Sequence, residues 1–528
     1  MDKPVTVTPV TLENLQQENE TLKKQLAELT AKIQWLEGQF RLNQKRLFAA
    51  SSEKTTGDQL SFDLFNEAEK EADPQLEEPT VETVTSIRKK RVGERKDKLK
   101  DLPVEVIDYT LNEAKQVCPC CGGPLHDMSI DVREELQIIP AEVKVIRHVR
   151  HVYACRHCQK HEVETPILTA SAPAPTYPKS LASPSAIAYT MCQKYVDAQP
   201  LYRQEQQYQR LGVTLSRQTL ANWVLYGAKQ WLAPLVDRLK IHLLARDVLH
   251  ADETTLQVLK EQDRAATSTS YLWLYRTGNE APPIILYDYQ TTRAAKHPIR
   301  FLAPFHGYLH VDGYAGYTSL PHVKLVGCWA HARRKFDEAI KAMPADAVEN
   351  RSTSAHEGLA YCNRLFTIER ALKSKQASVE ERYRTRLTQS QPVIEAFSVW
   401  LKKQAPQVLP KSPLGQAIRY CQAQWPKLTR FLEDGRLELS NNLAERAIKP
   451  FVMGRKNWLF ANTPRGATAS ATVYSLVETA KANGLIPFRY LTYLFEQLPN
   501  LGELTPEKLD ALLPWSSILP RGIHLHSN

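Results

Sequence analysis

The sequence predicts a multidomain protein. An N-terminal coiled coil leads into a zinc ribbon and a helix-turn-helix-like helical region, followed by an α/β domain with a mixed sheet and a helical insertion. Three observations carry this reading: an apolar heptad between Leu12 and Phe40, two Cys-x2-Cys pairs, and, from Asp247, three strands, a helix and two more strands. At 528 residues the chain exceeds what one hydrophobic core usually organises.

The 68 Lys and Arg against 58 Asp and Glu leave a formal charge of +10, a balance that suits a polyanionic partner. There is no apolar run of about 18 residues, the least that a spanning helix needs. The chain begins Met1-Asp2-Lys3-Pro4 without an apolar signal core, so a cytoplasmic protein with no membrane span is expected. Four of the nine cysteines fall in two tight pairs, which favours metal over a disulfide framework.

Residues 1–45 hold the heptad. Leu12, Asn19, Leu26, Ile33 and Phe40 occupy one seam position, and Leu15, Leu22, Leu29 and Leu36 the other. So narrow a stripe is a coiled-coil seam rather than the broad face of a globular helix, and it predicts a homo-oligomer. Asn19 is the only polar member; an asparagine at such a position fixes register in a parallel dimer. Residues 46–104 lack periodicity and read as a charged linker, acidic from Asp63 to Glu82 and basic from Arg88 to Lys100.

Residues 105–165 predict a zinc-binding domain. Cys118-Pro-Cys-Cys121 is a knuckle, and Cys155-Arg-His-Cys158 follows 34 positions later, with strand-like sequence from Glu142 to Tyr153 between them. Four thiolates at two tight turns suit a closed tetrahedral zinc site made by Cys118, Cys121, Cys155 and Cys158. Cys120 is a spare thiol and His157 a competing ligand. Lys144, Arg147, Arg150 and Arg156 favour DNA contact as the module's role.

After a Pro- and Ala-rich joint at Ala172–Pro178, residues 166–245 are helical. Leu201–Arg210 reads as a helix, Leu211-Gly212-Val213 as a turn, and Ser216 as the cap of a second helix. That second helix carries Arg217, Gln218 and Asn222, the residue types that read a major groove; any helical hairpin shares the pattern.

Residues 246–335 change to strands: Val248–Val258, Tyr271–Tyr275 and Pro283–Tyr287, a helix around Ala294–Leu302, then Gly307–Tyr314 and Val323–Trp329. This is the order of a ribonuclease-H-like fold, in which the first and fourth strands are central neighbours. Asp252 and Asp312 then face one another. Each also has a structural reading, Asp312-Gly313 as a turn dipeptide and Asp252 as a cap. A helix opens at Ala330, and residues 336–435 read as a charged helical insertion.

The second part of the α/β domain, residues 436–495, contains Ser440-Asn-Asn-Leu-Ala-Glu445-Arg446, followed by Lys449, Pro450, Arg455 and Lys456. Two readings of Glu445 stand at this point. With Asn442 as N-cap it completes a capping box; amid cations it is a metal ligand in a polyanion site. Pro450 lacks an N–H and is expected to break or kink the helix, turning Arg455 and Lys456 toward DNA. A further helix is expected over Ala469–Asn483. Residues 496–528 form a C-terminal tail with no assigned chemistry.

These motifs together resemble the insertion sequence 66 group of DDE transposases. The residues that carry the resemblance are the cysteine knuckle with its later pair, Pro200-Leu-Tyr-Arg-Gln, His250-Ala-Asp252-Glu-Thr, Val311-Asp312-Gly-Tyr, Gly327-Cys-Trp-Ala-His331-Ala-Arg333-Arg334, and Ser440-Asn-Asn-x-x-Glu445-Arg-Ala. The resemblance implies a transposase that binds terminal inverted repeats, cleaves phosphodiester bonds by two-metal hydrolysis and joins the freed 3′-hydroxyl ends to target DNA. It implies Asp252, Asp312 and Glu445 as catalytic ligands of Mg2+ or Mn2+, with Asp252 bridging both ions, and Zn2+ on the four cysteines. It further implies His331, Arg333, Arg334, Arg446, Lys449, Arg455 and Lys456 as phosphate-positioning groups on double-stranded DNA. Companion proteins of the same element and a bacterial, nucleoid-associated setting also follow from the resemblance. The alternative from another class is a catalytically idle DNA-binding regulator derived from a transposase, which has no need to keep all three acids.

Overall fold

The computed structural model describes residues 19–23, 25–26, 33, 37, 141–154, 167–279, 282–343 and 353–525. The chain divides into two units, residues 1–50 with 148–524, and residues 51–147 with 525–528. In the heptad segment the described residues are helical, and Leu22, Leu26 and Ile33 are exposed. The rest of the seam, the linker 46–104, and Cys118, Cys121, Cys155 and Cys158 lie outside the described residues.

Strands β1 (Val152–Ala154) and β2 (Ile167–Thr169) pair antiparallel. The strand expected from Glu142 to Tyr153 is therefore much shorter: residues 141–151 carry neither helix nor strand. A ladder extends only as far as its partner, and β2 supplies three residues.

Four helices follow: α1 (Pro184–Tyr195), α2 (Leu201–Arg210), α3 (Arg217–Gly227) and α4 (Ala233–Leu244). The helix, turn and capped helix expected from the sequence are present. Gly212 takes a φ of 82°, the left-handed turn that glycine tolerates best. Ser216 Oγ accepts the Thr219 N–H at 3.2 Å, capping α3.

The central sheet holds β3 (Val248–Gln257), β4 (Thr269–Thr277), β5 (Ile285–Gln290), β6 (Gly307–His310) and β7 (Val323–Val326), in the spatial order β5-β4-β3-β6-β7. A short helix, α5 (Lys296–Phe301), connects β5 to β6. The β5-β4-β3 pairs are antiparallel, while β3-β6 and β6-β7 are parallel. The expected adjacency of the first and fourth strands is found, with Val248, Leu249 and His250 opposite Tyr308, Leu309 and His310.

Both edges of the sheet are covered, which satisfies backbone groups that would otherwise be open. Along β5, Ser475 Oγ accepts the Tyr287 N–H at 2.8 Å, and Thr479 Oγ1 accepts the Ile285 N–H at 3.0 Å and donates back to its carbonyl at 2.9 Å. Beyond β7, the Gly327 N–H leaves the ladder for the Lys427 carbonyl at 2.9 Å. That diversion ends the fifth strand at Val326 rather than at the expected Trp329.

After β7 come α6 (Trp329–Lys341), α7 (Ser354–Ser374), α8 (Val379–Thr385), α9 (Gln391–Gln404) and α10 (Pro413–Leu428). They build a core of their own around Trp329, Phe336, Phe397 and Phe431. The chain then returns to the sheet through α11 (Asn442–Trp458), α12 (Pro464–Ala482), α13 (Pro487–Gln497) and α14 (Pro506–Asp510). Tail residues Leu509, Leu512 and Leu513 share one core with α1, α3, α4 and the sheet. Arg238 of α4 grips Asp510 through both carboxylate oxygens, fixing the tail in place.

Two local expectations about α11 are corrected. Its N-cap is Asn441, not Asn442, and no side chain caps the helix, so Glu445 is not part of a capping box. The reason is that Asn441 spends its amide on tertiary bonds, described below. Pro450 lies inside a helix that continues to Trp458 rather than ending one. A proline removes one helical hydrogen bond, but here Ala444, Ala447, Ile448 and Phe451 are buried in the sheet core on both sides of it. Packing of that face holds the helix through the defect.

Among the described residues, no helix is long and apolar enough to cross a membrane.

Candidate active site

The central strand pair sets the frame of the site. Alternate residues of a strand share a face, so His250 and Asp252 point the same way on β3, as do His310 and Asp312 at the end of β6. His250 and His310 sit opposite one another in register, fully buried and stacked, with ring centroids 4.2 Å apart and planes 6° from parallel. Burial lowers the pKa of His250 to about 3 and drives that of His310 well below the usual range, so both rings are neutral.

Asn441 docks the third element. Its side-chain N–H donates to the Ala251 carbonyl at 2.8 Å, its side-chain oxygen meets His250 Nδ1 at 2.9 Å, and its backbone N–H donates to Cys328 Sγ at 3.2 Å. Buried to 1 % exposure, it fastens the start of α11 to β3 beside Asp252. Glu445, one turn further along α11, is thereby held near Asp252.

The carboxylates differ in environment. Burial, with like charge from Glu253, Glu445 and Asp312, pushes the Asp252 carboxyl up to about 8. The Glu253 N–H donates to Asp252 Oδ1 at 2.8 Å, and the Tyr314 N–H to Asp312 Oδ1 at 2.8 Å, so Asp312 closes a local turn as well. Beside Glu445, His331 first, then Arg334 and Lys449, hold its carboxyl below the usual range. His331 Nε2 stands 3.5 Å from Oε1 and Arg334 4.0 Å from Oε2.

Residues outside the sequence-based set contribute. Glu253 is buried and raised in pKa by that burial, and is held by the Tyr317 hydroxyl at 2.6 Å and by Arg293. The Arg293 guanidinium stacks 3.8 Å from the Tyr314 ring, so this network braces the turn that carries Asp312. His250, His310, Asn441 and Glu253 were not singled out as functional. The repeated His-x-Asp spacing, His250-Ala-Asp252 and His310-Val-Asp312, is the signal that marks the two histidines.

Of the residues expected to meet DNA, Arg217, Gln218, Asn222, Arg446 and Lys456 are exposed, and His331, Arg334 and Lys449 lie beside Glu445. Arg333 and Arg455 are engaged away from Glu445. Arg333 Nε donates to Asn363 Oδ1 at 2.8 Å. Arg455, expected to turn outward, instead donates to the Thr255 carbonyl and hydroxyl and to the Thr254 hydroxyl of β3. The unbroken helix carries it along the strand, so it tethers α11 to the sheet.

The donor set fits hard divalent cations. Burial first, and then like charge from Glu253, Glu445 and Asp312, drives the Asp252 carboxyl toward the protonated form, and a bound cation offsets both. A stability consequence follows. The Asp252 carboxyl ionises near 8 in the folded chain and at an ordinary 3.8 when unfolded, so the folded state keeps a proton that the unfolded state loses. The resulting cost grows as pH rises from about 4 to about 8. In divalent-free buffer Asp252→Asn is therefore expected to melt above the parent at pH 8, with the gap closing toward pH 4; thermal melts across that range check it, and equal melting at every pH contradicts it.

Carboxylates at the end of the central β3-β6 pairing, beside cationic helices, suit the class of enzyme that acts on a phosphate polyanion with divalent cations. The family described as "Transposase IS66 family" matches residues 179–469, which contain all three acids. Matching segments flank it: the zinc-finger binding domain of transposase IS66 at 115–159, the IS66 C-terminal element at 475–515, and "Transposase C of IS166 homeodomain" at 35–107. Similar proteins include "Uncharacterized protein y4jD" of Sinorhizobium fredii (strain NBRC 101917 / NGR234), 33% identical over 78% of this chain and 80% of that protein. "Uncharacterized protein y4hP" of the same strain is 32% identical over 76% of this chain and 74% of its own length. The chain belongs to the IS66 family of transposases.

Proposed function

We propose that this transposase binds the terminal inverted repeats of its element, cleaves phosphodiester bonds there, and joins the freed 3′-hydroxyl ends to target DNA on a ribonuclease-H-like catalytic domain. The observation that carries the reading is that Asp312 and Glu445, distant in sequence, come near enough for their charge to act on Asp252, beside the larger effects of burial and Glu253. The strand order β5-β4-β3-β6-β7, with its parallel β3-β6 centre, supports the ribonuclease-H-like assignment.

Asp252, Asp312 and Glu445 would hold Mg2+ or Mn2+, which supplies Lewis acidity at the phosphate and a more acidic bound water. The chain's own groups do the rest. Asn441 and the stacked histidines tie β3, β6 and α11 together, which holds the elements that carry the three acids. Arg334, Lys449 and Arg446 bring positive charge to the phosphates, and His331 orients Glu445. Arg217, Gln218 and Asn222 on the outer face of α3 are suited to read the repeats.

The proposal extends to the segments outside the described residues. Cys118, Cys121, Cys155 and Cys158 would hold Zn2+, and residues 1–45 would form a coiled coil that pairs two copies. Metal analysis of the purified chain is expected to find about one tightly bound zinc from this module, lost when Cys118 and Cys155 are changed to Ser; zinc retained by that variant contradicts the ligand set. The function is tested by incubating the purified chain and Mg2+ with DNA bearing the element's ends. Site-specific cleavage and joining support the proposal, and binding without either favours the idle regulator.

A further inference from the structure

Glu445 faces more than carboxylates. Among the described residues, one group of metal-binding side chains has its donor atoms all within 4.8 Å of one another: Cys328, His331 and Glu445. Cys328 is the residue just before α6, His331 lies on the first turn of that helix, and Glu445 approaches from the first turn of α11. The two helices converge on this point because Asn441, four residues before Glu445, donates its backbone N–H to Cys328 Sγ.

The spacing argues for a shared ion rather than a simple ion pair. His331 Nε2 lies 3.5 Å from Glu445 Oε1, longer than an effective hydrogen bond. Two donors each about 2.0–2.1 Å from one tetrahedral ion stand about 3.4 Å apart. Glu445 Oε1 is itself buried and makes no hydrogen bond, whereas its companion oxygen faces Arg334. A thiol, an imidazole and a carboxylate oxygen are a borderline-to-soft set, which prefers zinc or cobalt to magnesium.

We infer that Cys328, His331 and Glu445 form a binding site for a divalent transition cation of the zinc type, distinct from the oxygen-only Asp252–Asp312 pair. With three protein ligands the site keeps a fourth position open, as catalytic and regulatory zinc sites do. Its bearing on catalysis rests on the function proposed above: a zinc-type ion here takes up Glu445 and competes with the magnesium-dependent reaction.

The test uses the full-length chain, loaded with one equivalent of zinc to occupy the cysteine module, to which Co2+ is then added. Bound cobalt and thiolate-to-cobalt absorption are read for the parent, Cys328→Ser, His331→Ala and Asp252→Asn. Cys328→Ser is close to isosteric and His331 is part-exposed, so neither change threatens the fold; His331→Gln serves as a second variant at that position. The parent is expected to bind one further equivalent with thiolate absorption. Cys328→Ser should lose that absorption, His331→Ala and His331→Gln should bind at least tenfold more weakly, and Asp252→Asn should bind as the parent does. No further cobalt, cobalt indifferent to both Cys328 and His331, or cobalt lost equally in Asp252→Asn overturns the inference. The two readings fail separately: a Glu445→Gln chain that still cleaves DNA removes the catalytic role and leaves the cobalt result standing.

Discussion

Glu445→Gln is expected to lower cleavage of DNA ends at least about 10³-fold, equivalent to about 4 kcal/mol of transition-state stabilisation, while leaving repeat binding within about twofold. The change keeps the size and hydrogen-bonding reach of the side chain but removes the charge a cation needs. Glu445 stands in the first turn of α11, and His331, Arg334 and Lys449 already favour its ionised form, so its charge is present across the neutral range. Repeat binding should survive because the exposed residues of α3 lie on a different element. Parallel gel-shift and cleavage assays separate the two effects; a Gln variant cleaving within about tenfold of the parent would remove Glu445 from the active site.

The largest stability effect is expected at Arg386, buried among the helices that follow β7. It is fully buried, donates to both oxygens of Glu369 at 2.7 and 2.8 Å, and reaches the carbonyls of Phe431, Asp434 and Leu437 at 3.1, 3.0 and 2.8 Å. Those carbonyls belong to the segment that leads back from the insertion to α11. Arg386→Ala leaves Glu369 with only the longer Arg382 contact at 3.5 Å and opens the Phe431 and Asp434 carbonyls, while Leu437 keeps Arg382 at 3.3 Å, so a loss of about 3–5 kcal/mol is expected. Arg384→Ala provides the contrast: its pair with Glu380 is 76% and 64% exposed, and the expected change is within about 0.5 kcal/mol. Chemical denaturation of both variants decides the matter, and equal losses would mean that Arg386 is not the tie it is argued to be.

These two arginines show why parts of the molecule were legible in the sequence and parts were not. Both lie in a segment that reads simply as charged helix; depth, set by the aromatic core around Phe431, distinguishes them, and no local pattern reports depth. The strands were legible because alternation and strand order are properties of the sequence. With them came the adjacency of β3 and β6, which places Asp252 and Asp312 each two residues beyond the last paired residues, His250 and His310. The start of α11 was misread because the N-cap rule is local, and Asn441 makes its bonds to β3 and Cys328, distant in sequence. Pro450 follows the same logic, since the breaker rule holds for an isolated helix and not for one whose apolar face is packed on a sheet. The stacked histidines were visible as a repeated His-x-Asp spacing, but their pairing appears only once the strands are in register.

The most direct test of the central claim follows the chemistry of the DNA end. Pre-cleaved element ends are offered to the purified chain with Mg2+ and a target plasmid, either with a terminal 3′-hydroxyl or with a 3′-deoxy terminus. Displacement directed by Asp252, Asp312 and Glu445 predicts joining of the hydroxyl ends alone and no covalent protein–DNA adduct at any stage. Joining of the 3′-deoxy ends, or an adduct trapped on the protein, would contradict it.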